Sequence, residues 1–147
     1  MLKVPHYRQS RPNTCLPTCV RMILAYHGKD HTEAELAKLF GTVPFGTLPE
    51  NVVAGLEQLG YWGFWFENAT IERLSVLLGQ GWPVIVFFRA ADLPHGTRGL
   101  HSVVVIEIQD GQVICLDPAL DHNLLLEMPI FLHAWAKLNH QGFVVWI

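Results

Sequence analysis

The chain is poor in charge. Asp, Glu, Lys and Arg make up 16% of its 147 residues, against roughly 25% in an ordinary globular domain, which excludes a disordered chain and a charged coiled coil. The ten Lys and Arg are scattered, and the net charge is -3. A nucleic-acid binder needs a positive footprint, so no nucleic-acid partner is expected. Cysteine is scarce and odd in number, three in all, which argues against a disulfide framework. There is no repeat, no low-complexity segment and no linker. The longest apolar run, residues 82–88, is far too short for a membrane span. The first six residues lack the apolar stretch of a signal peptide. These absences lead to the expectation of one soluble, reduced, cytoplasmic domain over residues 1–147.

Half of the residues are hydrophobic, enough for a substantial core. The first half reads as helix. Asn13 or Thr14 is placed to cap a helix ending near His27, with Gly28 as its stop. Thr32 and Glu35 form a capping box before Leu36, Leu39 and Phe40. Thr47 and Glu50 read as another before Val52, Val53, Leu56 and Leu59. Thr70 caps a fourth helix. The second half reads as strand over residues 82–89, 100–108 and 112–116, with Asp110-Gly111 as a hairpin turn. A short helix from Pro129 and a final strand over 143–147 follow, and residues 61–66 read as an additional strand. Helices first and antiparallel strands later predict an α+β fold, with a helical half packed on an antiparallel sheet.

Cys15 falls at the predicted start of the first helix, where unpaired N–H groups and the helix dipole favour an anion. A thiol there can reach a pKa between ~3.5 and ~7.5. Position alone favours an inert cysteine, as most intracellular cysteines are. Cys19 shares a helical stripe with Met22 and Ile23, and Cys115 lies inside a β run, so both read as core. A cysteine nucleophile needs a base. His101 opens a strand, and Asp117 ends the partner strand across the hairpin, where a carboxylate would fix the imidazole's tautomer and stabilise its charged form. The register decides whether they meet. An unbroken two-residue turn puts residue 120 opposite His101 and Asp117 on the other face. A one-residue bulge or an odd turn puts residue 119 there, with Asp117 diagonal to His101 on the same face. The Cys15–His101–Asp117 grouping therefore requires an irregular hairpin. Without it, His101 is a strand-edge histidine and Asp117-Pro118 a turn.

The ordered set is more specific than its parts. Val4-Pro5 precedes Gln9, which lies six positions before Cys15. A helix ending in Ala25-Tyr26-His27-Gly28 follows, then His101-Ser102-Val103-Val104-Val105, then Leu116-Asp117-Pro118. This set resembles the papain-like cysteine peptidases that process bacteriocin precursors, the double-glycine leader peptidases, whose domains often sit at the N-terminus of peptide-exporting ABC transporters. The resemblance runs from Val4 to the helix carrying Trp135. It implies a papain-like fold with Cys15 as nucleophile, His101 as base and then acid, and Asp117 as its orienter. The Gln9 amide and the Cys15 backbone N–H would form the oxyanion hole. It also implies a peptide or protein substrate with small residues before the cut, an export partner on a separate chain, and no cofactor. Leu16 stands where that family usually carries glycine, so a narrowed or reshaped site is expected.

Other readings use the same residues. Cys15, Cys19, His27 and His31 suggest zinc, but the spacing is too short for a finger and Gly28 breaks the helix before His31. A peptide-binding module of the same fold would need neither Cys nor His. An amidase, isopeptidase or acyl transferase would share the thioester chemistry. The run Tyr61-Trp62-Gly63-Phe64-Trp65-Phe66 reads as core or as a sticky edge strand. Alternation would put Trp62, Phe64 and Phe66 on one side and Tyr61 and Trp65 on the other. Residues 90–99, just before His101, read as an ordinary exposed loop or as a lid.

Overall fold

A computed structural model describes residues 1–96 and 98–147. Three helices come first: α1 (Cys15–Tyr26), α2 (Glu33–Leu39) and α3 (Pro49–Gln58). Strand β1 (Trp62–Phe66) and α4 (Ile71–Gly79) follow, then β2 (Val84–Arg89), β3 (Leu100–Gln109), β4 (Gln112–Leu116), β5 (Asn123–Glu127), α5 (Met128–Ala136) and β6 (Gly142–Trp146). The six strands form one sheet in the order β1-β6-β2-β3-β4-β5. All neighbours are antiparallel. The class is α+β.

The sheet is covered on both faces. Val104, Ile106, Leu116 and Ile85 pack with Val20, Ile23 and Leu24 of α1, Leu36 of α2 and Leu56 of α3. Val103, Val105, Val113 and Cys115 pack with Leu74 of α4 and Phe131 and Trp135 of α5. Helices therefore lie on both sides of the sheet, α1 to α3 on one and α4 and α5 on the other. Burial on two faces is why β3 reads as an unbroken apolar run instead of an alternating one.

The local signals divide. The Thr32–Glu35 capping box forms, with both reciprocal hydrogen bonds, and the Thr70 side chain accepts from Arg73 N–H. The Thr47–Glu50 box does not. Leu48 is the N-cap of α3, and Pro49 sets the first helical position without needing a donor. Thr47 is diverted to a 2.7 Å hydroxyl–hydroxyl bond with Thr42. Thr14 is the N-cap of α1 by position, but its hydroxyl donates backward to the Arg11 carbonyl. Strand β5 carries no signal of the β-branched kind. It is Leu-rich, and its alternating burial appears only once it pairs with β4.

The hairpin between β3 and β4 is irregular. Asp110 and Gly111 both have positive φ, as a tight two-residue turn demands. Gln109, Ile108 and Glu107 face Gln112, Val113 and Ile114 in plain register. The register then slips, so that Val105 faces Cys115 and Val104 faces Leu116, with Ile106 bulged. The slip flips the alternation: Ile106 packs with the α1 side while Ile108, two residues on, packs with the α4–α5 side. The ladder ends at Val104–Leu116, and Asp117, the next residue, lies on the side from which it reaches His101.

Candidate active site

Cys15 occupies the first helical position of α1, where the early N–H groups have no partner within the helix. Residues 1–9 run back over the sheet beside it. Leu2 N–H bonds the bulged Ile106 carbonyl at 3.4 Å, and Gln9 N–H bonds the Pro118 carbonyl at 2.8 Å. The segment leading into α1 is thereby tied to the bulge of β3 and to the turn that follows β4.

His101 lies at the head of β3, with its side chain 12% exposed, and Asp117 is fully buried. His101 Nε2–H donates to Asp117 Oδ1 at 2.6 Å. The carboxylate only accepts, so Nε2 carries the proton and Nδ1 is the ring atom left for Cys15. Burial pushes the Cys15 thiol up, but its hydrogen bond to His101, the imidazolium charge and hydrogen bonds to Ser102 outweigh burial and bring it below the ordinary thiol value. Burial likewise opposes a charged His101. Hydrogen bonds to Asp117 and Cys15, with their charges, override it and raise His101 to about 9. Asp117 is desolvated too, yet His101, Ala119 N–H and His95 hold it below the usual carboxylate range. All three shifts favour one charge state: thiolate, imidazolium and carboxylate in a row.

The other thiols differ. Cys19 is fully buried, its Sγ 3.4 Å from the Ser102 carbonyl oxygen, and burial pushes its pKa well up. Cys115 is fully buried and is pushed up in the same way. The zinc reading loses its geometry, since His31 bonds Glu35 and Tyr61 instead. Among the described residues, no three His, Cys, Asp or Glu side chains are arranged to hold a metal.

The Gln9 amide is engaged locally. Its side-chain N–H donates to the Arg11 carbonyl at 2.7 Å, and its Oε1 is buried without a partner among the described residues. Leu16 is buried in the α1 core, so its bulk is largely absorbed by the interior, though it still borders the cleft.

That cleft has a volume of about 260 Å³ and opens over Cys15, His101 and Ser102. Its walls are mostly apolar, with Phe45, Pro49, Trp65, Phe87, Leu100 and Leu138. Phe45 is 88% exposed and Leu100 73%. Trp65 breaks the expected alternation. Trp62 and Phe64 point outward as one of the two alternatives had it, but Trp65 is also 43% exposed because it turns to the cleft and donates its indole N–H to Gln141.

Two histidines had no sequence signal. His95 Nε2–H donates to Asp117 Oδ2 at 2.6 Å, and His6 Nε2–H reaches the Asp117 backbone carbonyl at 2.8 Å. Both contacts are remote in sequence. The one available pointer to His95 was its place in the loop that leads into His101.

The Peptidase_C39-like family model matches residues 1–143. The chain belongs to this family. Three solved structures show the same fold. A protein from Bacillus anthracis assigned as a C39-like peptidase has a TM-score of 0.82 at 18% identity, covering 99% of this chain and 94% of its own. The peptidase domain of Streptococcus ComA, a bi-functional ABC transporter involved in quorum sensing, has a TM-score of 0.78 at 20% identity, covering 96% of each chain. A double-glycine-motif protease from an AMS/PCAT transporter, in complex with its leader peptide, has a TM-score of 0.78 at 18% identity, covering 99% and 92%. No curated protein sequence matches. The fold is thus that of the papain-like C39 peptidase domains. Family and fold support a peptidase or leader-peptide-binding function. Among the described residues, no helix is long and apolar enough to cross a membrane.

Proposed function

We propose that this C39-like domain is a thiol-dependent peptidase, with Cys15 as nucleophile, His101 as base and acid, and Asp117 as the orienting carboxylate. The observation that carries the reading is that Cys15 and His101 line one apolar cleft while His101 Nε2–H donates to the buried Asp117 carboxylate at 2.6 Å behind it. The Cys15 thiolate adds to the scissile carbonyl carbon. The imidazolium then gives its proton to the leaving nitrogen as the C–N bond breaks, leaving a thioester on Cys15. His101, now neutral, takes a proton from water as the water oxygen adds to the thioester, and the C–S bond then breaks, releasing the acid product and returning thiolate and imidazolium. The Cys15 N–H at the head of α1 and the Gln9 amide are the oxyanion donors. Gln9 has a second amide hydrogen beyond the one given to Arg11, so the amide can serve an oxyanion without giving up that bond.

The narrow cleft suits a peptide with small residues next to the cut, of the Gly-Gly leader type, with larger apolar side chains against Phe45, Leu100 and Trp65. The ComA and AMS/PCAT relatives, one of them with a leader peptide bound, support that choice. A reducing cytoplasm suits the free thiol. The test is hydrolysis of a Gly-Gly leader peptide, followed by mass spectrometry, with wild type and Cys15→Ala. Cleavage after Gly-Gly, absent in the variant, is expected. Binding of the same peptide without cleavage by wild type would make the chain a peptide-binding module. The Gln9–Arg11 bond is the observation that favours that second reading.

A further inference from the structure

We propose that His95 is a positioning residue for this site, holding the free oxygen of Asp117 so that the other stays aimed at His101. As far as turnover is concerned, this rests on the peptidase reading above. The state of the Cys15–His101 pair is readable without it.

Asp117 is fully buried, and its two oxygens are divided. Oδ1 accepts from His101 Nε2 at 2.6 Å and from Ala119 N–H at 2.8 Å, while Oδ2 accepts from His95 Nε2 at 2.6 Å. A carboxylate turns readily about its Cβ–Cγ bond. With donors on one oxygen only, it could swing and loosen its hold on the imidazole. A donor on each side fixes the plane of the group, and with it the ring it orients. His6 does not serve this purpose, because it bonds the backbone carbonyl of Asp117.

The loop is built to deliver this ring. It leaves β2 through a 3-10 turn at Ala90–Asp92 and closes on itself, with Ala90 N–H bonded to the Gly99 carbonyl at 2.8 Å. Leu93, two residues before His95, is buried in the core on the α4–α5 side. Gly96, the next residue, packs so tightly that a Cβ there would lie 1.7 Å from the Ala90 carbonyl oxygen. An anchor on each side of His95 thus sets where its backbone lies. The ring is only partly exposed, at 26%. An exposed loop with no bearing on the site would require none of this.

The test compares His95→Gln with His95→Met. Both fill the space of the ring. Gln keeps an N–H donor at about the reach of Nε2, and Met keeps none. Two readouts are taken: the pH profile of Cys15 alkylation by iodoacetamide, and kcat and KM on the leader peptide. Met should move the alkylation midpoint to higher pH and lower kcat by about ten- to a hundredfold, the range typical of groups that orient an active residue through another. KM should stay within about twofold. Gln should restore the midpoint and most of kcat. Equal behaviour of Gln and Met in both readouts would overturn the proposal, as would a wild-type midpoint with Met. Imidazole ¹⁵N NMR of the wild type, independent of any variant, should find His95 protonated on Nε2. A bare Nε2 would also overturn it. Failure of the wild type to cleave any peptide would overturn the peptidase reading and leave the alkylation and NMR results to decide the role of His95.

Discussion

Replacing Asp117 by Asn keeps the shape of the side chain and removes its charge. In the wild type the buried carboxylate accepts from His101, Ala119 and His95 at 2.6, 2.8 and 2.6 Å. The Asn oxygen can still take the His101 and Ala119 hydrogens. Its NH₂ then faces His95 Nε2, which must shed its own hydrogen to accept. One hydrogen bond is remade at the other tautomer, and the charge assistance to both imidazoles is lost. Hydrogen bonds to charged groups are worth about 1.5–3 kcal/mol and neutral ones about 1, so a loss of about 2 kcal/mol is expected where the pair is fully charged. The pH dependence follows from the directions of the shifts. His101 titrates above its ordinary 6.5, at about 9, so its contribution is complete below pH 6.5 and disappears as pH rises through about 9. Asp117 titrates below its ordinary 3.8, so its contribution is complete above that value and is lost as pH falls beneath it. The gap between wild type and Asp117→Asn in urea unfolding should therefore be full from about pH 4 to 6.5 and shrink toward pH 10. The variant's Cys15 alkylation midpoint should also move to higher pH. A gap that is the same at pH 6 and pH 10, or below about 0.5 kcal/mol throughout, would refute the reasoning.

Other consequences can be checked with the same methods. Cys15→Ala should abolish hydrolysis, whereas Cys19→Ala and Cys115→Ala should keep kcat within a few fold and lose about 1–2 kcal/mol in urea unfolding, as buried truncations do. Gln9→Ala should lower kcat by about 10²–10³ with the alkylation profile of Cys15 unchanged, because the amide acts on the oxyanion and not on the thiol. Leu16→Gly, the residue usual in the family, should destabilise the domain by about 3–5 kcal/mol in urea unfolding, since Leu16 is a buried helical core residue here. Gly96→Ala should displace the loop and raise the Cys15 alkylation midpoint, as His95→Met does, because the added methyl meets the Ala90 carbonyl.

Much of this was legible in residue order. Capping at Thr32 and Thr70 depends on neighbours three residues away, so local sequence carries it. Cys15 at a helix start and His101 at a strand start follow from the same short-range patterns. The bulge is intermediate. The sequence could say that His101 and Asp117 meet only if the hairpin is irregular, but not that Ile106 is the residue that slips. That choice is made by packing, which sends Ile106 and Ile108 to opposite faces. What was not legible is long-range and polar. His95 and His6 reach Asp117 across 22 and 111 positions, and no periodicity announces a loop histidine. The bond from the Gln9 amide to the Arg11 carbonyl, two residues away, is a local side-chain-to-backbone contact that Gln9's place before Cys15 did not announce. Strand β5 was hidden because three leucines in a row, Leu124–Leu126, acquire alternation only from the partner strand.

The central claim is that Cys15 and His101 share a proton as thiolate and imidazolium. The rate of iodoacetamide alkylation at each of the three cysteines, resolved by mass spectrometry across pH in wild type and His101→Ala, tests it directly. Fast alkylation of Cys15 below neutral pH, slowed in His101→Ala, with Cys19 and Cys115 unreactive in the folded protein, is the predicted result. A Cys15 that titrates as an ordinary thiol near pH 8.5, unaffected by His101→Ala, would contradict the account.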